Sequence, residues 1–134
     1  MIQARYKDIN NHLSIQSNIP AKQSAVSAYI NLEALRHNAL LAQSIAPNAK
    51  LIAVIKANAY GHGILDVAKT LSSICHGYAV ARIDEALMLR DNGITQMLIV
   101  MSPALSPEAL QICAENQLTV VIHSNQNIDL NALP

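Results

Sequence analysis

The sequence predicts an α/β fold made of consecutive βα units. Three observations carry this. Apolar runs of strand length alternate with amphipathic helical segments about every 20–25 residues. The strand run Leu51–Ile55 holds no polar residue, as expected for a central parallel strand buried on both faces. The core formers are aliphatic: 51% of the 134 residues are hydrophobic, with neither Phe nor Trp.

The elements follow in order. Met1–Ser24 is polar, carries Arg5, Lys7 and Lys22, and lacks the apolar region of a secretory signal. Residues 1–27 read as a flexible N-terminal arm with room for a short helix. From Ala28, a short extended piece over Tyr29–Leu32 leads into a helix capped by Asn31, with Leu32, Leu35, Ala39 and Ala42 on its inner face. Pro47 closes it. Leu51–Ile55 is a strand. A helix from about Gly63 to Ile74 places Ile64, Val67, Ala68, Leu71 and Ile74 in one apolar stripe.

Tyr78–Ala81 is the next strand, followed by a helix opening at Ile83 or Asp84 and stopped by Asn92-Gly93. Met97–Met101 is a third strand, with both methionines as strand core, broken by Ser102-Pro103. Ser106-Pro107-Glu108 starts a helix, with Ser as cap and Pro at the first helical position. Leu118–Ile122 is a fourth strand, and Ser124–Leu133 opens another helix. Four strands suit either a small open sheet or roughly the first half of a (β/α)8 TIM-type barrel, which takes about 250 residues when complete. Residues 28–134 form this part of the fold.

Composition narrows the function. Nine Lys plus Arg balance nine Asp plus Glu. No basic stripe interleaved with aromatics appears, which disfavours nucleic acid as a partner. No apolar run approaches the ~20 residues of a membrane span, and the location expected by default is cytoplasmic. Cys75 and Cys113 each fall in an expected amphipathic helix and read as free thiols packed as small hydrophobes. The five histidines have no ligand-spaced partners, so no metal site is expected. Nucleotide-binding glycine loops and a nucleophile elbow are absent. The Asp84-Glu85 pair sits in a first helical turn, where acidic groups complement the helix dipole.

The chemically pointed stretch is residues 51–63, Leu-Ile-Ala-Val-Ile-Lys-Ala-Asn-Ala-Tyr-Gly-His-Gly. An apolar strand ends in Lys56, at the carboxyl end where α/β proteins place their sites. The ordinary use of a strand-end lysine is to snorkel to water. The other use is as an amine that forms a Schiff base with a carbonyl compound, pyridoxal phosphate included. Tyr60 follows four residues later, in a loop from which a hydroxyl facing the same site can donate to a phosphate oxygen. Gly61 and Gly63 permit positive φ. His62, between them, reads as a loop cap or the start of the next helix.

Ala53-Val54-Ile55-Lys56-Ala57-Asn58-Ala59-Tyr60-Gly61-His62-Gly63 closely resembles the cofactor-lysine signature of the alanine racemases. Ala28–Asn38 resembles that family's opening strand and helix. Tyr78–Ala81 with Asp84-Glu85-Ala86, Leu89-Arg90 and Gly93-Ile94 resembles its second barrel unit. The resemblance implies a pyridoxal 5'-phosphate enzyme that interconverts L- and D-alanine, supplies D-alanine for peptidoglycan, and in full length is a homodimer with a barrel and a C-terminal β domain. It implies that Lys56 holds the cofactor and is one of two bases at the α-carbon. It further implies that Tyr60 bonds the cofactor phosphate, and that Val54 and Met101 flank the cofactor. The family's second base is a tyrosine of the partner's C-terminal domain, which matches nothing here. The same holds for its arginine at the pyridine nitrogen and most of its phosphate ligands. The expectation is therefore a truncated racemase chain, weak or inactive alone. The rival readings are a non-catalytic remnant that binds the cofactor or another chain, and a different barrel-type pyridoxal-phosphate protein.

Overall fold

A computed structural model describes residues 12–14, 28–102 and 105–122. Most of the arm (1–11 and 15–27), Pro103 and the helix expected over Ser124–Leu133 lie outside the described residues. The described part of the arm is strand β1 (His12–Ser14), paired antiparallel with β2 (Tyr29–Asn31). Helix α1 (Leu32–Ile45) follows directly. Asn31 caps it by accepting from the Ala34 N–H at 2.9 Å. The side-chain oxygen takes one of the four orphan donors of a helix start.

The remaining order is β3 (Ile52–Val54), the short turn α2 (Lys56–Tyr60), α3 (Ile64–Leu71), β4 (Gly77–Val80), α4 (Ile83–Asp91), β5 (Met97–Val100), α5 (Pro107–Glu115) and β6 (Leu118–Val120). The four strands β3-β4-β5-β6 lie in sequence order, all parallel. An open doubly wound sheet reverses its order at a switch point. This one winds in one direction only over its four strands, the order a barrel requires.

The register separates the sheet into two faces. Ala53, Tyr78, Leu98 and Leu118 align across the strands, and with Val80, Val100 and Val120 they join the core under the helices. The apolar stripe of α3 supplies Ile64, Val67, Ala68 and Leu71, all buried, with Ile74 just beyond the helix. On the opposite face Val54 is 44% exposed and Met97 41%. Met97 is therefore not core, because its face points away from the helices. Gly77 belongs to this face: a Cβ there would lie 2.6 Å from the Met97 carbonyl oxygen, so only glycine fits between its neighbours.

Two expectations shift. The α1 face expected to be internal is shallow, for Leu35 and Ala39 pack on the core but no residue of α1 is buried and Ala42 is exposed. Cys75 lies in the turn after α3 rather than in the helix, which ends at Leu71. It is buried and free, as is Cys113 in α5, and burial pushes both thiols up from their ordinary pKa.

Candidate functional site: a left-handed turn at the carboxyl end of the sheet

The residues between β3 and α3 adopt an uncommon backbone. Ala57, Asn58, Ala59 and Tyr60 all have φ between 53° and 55°, a full turn in the left-handed region. Ala57, Ala59 and Tyr60 there each cost about 1–2 kcal/mol, so the turn stores roughly 3–6 kcal/mol. Gly61 (φ 88°) and Gly63 (φ 91°) continue on the same side of the map, where glycine carries no such penalty.

Local hydrogen bonds hold the turn. The Ala59 N–H donates to the Ile55 carbonyl at 2.8 Å, and the Gly63 N–H to the Asn58 carbonyl at 3.0 Å. The His62 ring nitrogen Nδ1 lies 2.9 Å from the Ala59 carbonyl oxygen, which makes His62 a loop cap. Asn58, a residue type that tolerates the left-handed region, also accepts from the Ile64 N–H at 2.9 Å. That bond caps α3 where Gly63 has no side chain to do so. Ala59, 5% exposed, anchors the turn in the core beside Ile55.

One brace comes from far along the chain. Glu85, in the first turn of α4, accepts from the Ala57 N–H through Oε1 at 2.7 Å. Its Oε2 accepts from the N–H groups of Ala81 (3.0 Å) and Arg82 (3.2 Å). Glu85 thus ties the carboxyl end of β4 to the peptide that follows Lys56. The sequence shows Glu85 only as an acid in a first helical turn, where its bond to the Arg82 N–H does cap α4. The reach to Ala57 comes from parallel pairing of β3 and β4, a non-local fact. Asp84 faces outward and pairs with Arg82 at 2.8 Å, and the guanidinium hydrogen bond holds its carboxyl below the usual range.

The four residues singled out by sequence lie at the same end of the sheet. Lys56 begins the left-handed turn and is half-buried. Ile52 and Val54 alternate onto the face away from the helices, and Lys56 follows Ile55, whose backbone (φ −123°, ψ 22°) has already left the extended region. The Ile55 N–H still donates to the Ala79 carbonyl at 2.9 Å, so strand pairing extends to the residue before the lysine. Tyr60 closes the turn and is 60% exposed. Met101 follows β5, its N–H donating to the Val80 carbonyl at 2.9 Å. It stands two strands from β3, about 10 Å across the sheet, and so shares the rim with Lys56 without adjoining it. Among the described residues the one ion pair is Arg82–Asp84, so no carboxylate there neutralises the Lys56 amine. No group of three metal-ligating side chains occurs among them, and no described helix is long and apolar enough to cross a membrane.

These features define a class: a barrel-type βα chain that presents a lysine amine at a strand's carboxyl end, on a strained turn. Comparison with known proteins gives the family. The alanine racemase N-terminal domain matches residues 30–132, and the chain belongs to that family. It is 41% identical over 100 residues to an alanine racemase of Mannheimia succiniciproducens, and 42% identical over 103 residues to one of Haemophilus influenzae. These stretches cover 75% and 77% of this chain but 28% and 29% of those proteins. The chain therefore spans less than a third of the length of these relatives. Among solved structures, the alanine racemase of Acinetobacter baumannii is similar with a TM-score of 0.67 and 30% identity, over 72% of this chain and 28% of that one. The Bacillus anthracis alanine racemase with bound L-Ala-P gives a TM-score of 0.64 and 35% identity, over 68% and 24%.

Proposed function

We propose that this chain supplies the cofactor-lysine part of an alanine racemase, with pyridoxal 5'-phosphate as cofactor and alanine as substrate. The observation that carries the reading is Lys56: a half-buried lysine at the carboxyl end of β3, without a carboxylate partner among the described residues, in a chain of the alanine racemase family. The residues present fit the cofactor in part. Lys56 offers an amine for its aldehyde carbon, and Tyr60 a phenol for its phosphate, while Val54 and Met101 offer apolar flanks on the same rim. The remaining phosphate ligands are not among these residues.

Pyridoxal phosphate, when bound, withdraws electrons from the α-carbon of an amino acid and makes its hydrogen acidic. Lys56 then takes or returns that proton on one face. Racemisation needs a second base on the other face, and none is assigned here. A polypeptide of these 134 residues therefore has weak or no racemase activity by itself. The same reading carries a cytoplasmic enzyme that supplies D-alanine for peptidoglycan and is homodimeric in full length.

The test is to add pyridoxal phosphate, reduce with borohydride and locate the adduct by peptide mass spectrometry. The adduct is expected at Lys56 and lost in Lys56→Ala. Label spread over surface lysines would overturn the reading, and family-like turnover by the isolated chain would overturn its inactivity.

A further inference from the structure

We propose that Glu85 is the positioning residue for Lys56, an inference that rests on the function proposed above. The carboxylate does not act on substrate. It acts by fixing the peptide plane between Lys56 and Ala57, because the Ala57 N–H it binds at 2.7 Å belongs to the peptide whose carbonyl is that of Lys56.

The geometry makes this more than a helix cap. A cap needs one acceptor, and Oε2 already serves the Ala81 and Arg82 N–H groups at the start of α4. Oε1 is left for a residue 28 positions away in sequence, on another βα unit. Ala57 is exposed and has no packing of its own to hold its left-handed conformation. Its N–H comes before the bonds that close the rest of the turn, whose donors run from Ala59 to Ile64. The entry to the turn, where Lys56 sits, is thus held on one side by the strand bond from Ile55 to Ala79 and, among the described residues, on the other by one long-range side-chain bond, whose acceptor is charged. Hydrogen bonds to charged groups are the stronger kind.

Two carboxylate oxygens serve donors on two elements, so the amide of glutamine cannot replace the pair. In Glu85→Gln one end becomes an NH2 group, which meets an N–H donor to donor. If the oxygen stays with the cap, the NH2 faces Ala57. The turn is then free to relax at its entry, and Lys56 and Tyr60 lose their fixed relation.

The experiment compares the wild-type chain, Glu85→Gln and Glu85→Gln/Ala57→Gly. Amide exchange of Ala57 is read by NMR, and the share of borohydride-fixed pyridoxal phosphate on Lys56 by mass spectrometry. In Glu85→Gln, Ala57 exchange is expected to speed up about tenfold and the Lys56 share to fall about tenfold, the effect of losing one charge-assisted bond. Glycine at 57 lowers the cost of the left-handed entry and is expected to restore part of the Lys56 share. A role confined to capping α4 would not respond to residue 57. Unchanged Ala57 exchange, or faster exchange with an unchanged Lys56 share, overturns the positioning role and leaves the function standing. If the wild-type chain itself takes no cofactor at Lys56, the functional reading fails, and the positioning role with it.

Discussion

At the carboxyl ends of the strands Glu85 gathers three backbone N–H groups, and at the amino ends Arg90 gathers four backbone carbonyls. Arg90 donates to Ile94 (2.6 Å) and Gln96 (2.8 Å) ahead of β5, and to Asn116 (3.2 Å) and Gln117 (3.1 Å) ahead of β6. Both residues sit on α4, one in its first turn and one in its last. The two devices mirror each other in charge but not in what they hold. Arg90 holds relaxed loops entering strands, apart from Gln117 at φ 52°. Glu85 holds a turn in which four successive residues are left-handed. In barrel folds the carboxyl face carries chemistry and the amino face carries stability. The two side chains of one helix fall on the two sides of that division, Glu85 at the end where the proposed site lies and Arg90 at the other.

The largest effect that would test this contrast belongs to the amino end. Arg90→Ala removes four hydrogen bonds from a charged, half-buried donor and leaves its carbonyl partners with one acceptor site each unfilled. The expected loss is about 3 kcal/mol in urea unfolding. The share of pyridoxal phosphate fixed at Lys56 in the folded fraction should stay as in the wild type. A matching loss at Lys56 would mean that the two ends are not separable.

Helix α3 extends the comparison, since it is capped from both ends of the sheet by residues outside it. Asn58 serves its first turn from the strained side. At the other end the buried Tyr78 hydroxyl donates to the Ala68 carbonyl at 2.6 Å. That carbonyl is one of the last four of the helix, which have no intrahelical partner by right. Burial, and secondarily the nearby Cys75, keeps the Tyr78 phenol well above its ordinary pKa and so neutral as a donor. Tyr78→Phe keeps the ring and removes the hydroxyl. The carbonyl is left orphaned in the core, at a cost of about 1–3 kcal/mol measured by urea midpoint. A cost near zero would mean that water replaces the hydroxyl.

Much of this was legible in the chain. The apolar stripe of α3, the Asn31 and Ser106 caps and the four parallel strands all follow from local pattern, since each depends on residues a few positions apart. Ser106 does accept from the Ala109 N–H, at 3.3 Å. The placement of Lys56 at a strand end was legible for the same reason. The left-handed turn was not. Gly61 and Gly63 announce positive φ, but Ala57 and Ala59 are the residue type that most favours the right-handed helix. Tertiary anchors, Glu85 and the core around Ala59, override that preference. The roles of Glu85 and Arg90 were equally hidden, because both bind backbone, and backbone partners leave no mark on sequence spacing. Met97 was misread because alternation gives the two faces of a strand but not which one the helices cover.

The smallest expected effect has the opposite sign and bears directly on the strained end. Ala57→Gly removes a methyl from an exposed residue held at φ 53°. No packing is lost, and about 1–2 kcal/mol of left-handed strain is relieved. Against this stands the extra freedom of glycine in the unfolded chain, worth about 0.4–1 kcal/mol. The balance is a gain of roughly 0.5–1 kcal/mol, seen as a higher urea midpoint with an unchanged slope. At an ordinary right-handed position the same exchange would destabilise by a similar amount. The sign alone therefore reports whether this turn stores strain. A destabilised Ala57→Gly would mean that the turn is relaxed, and the contrast between the two ends of the sheet would reduce to one of charge.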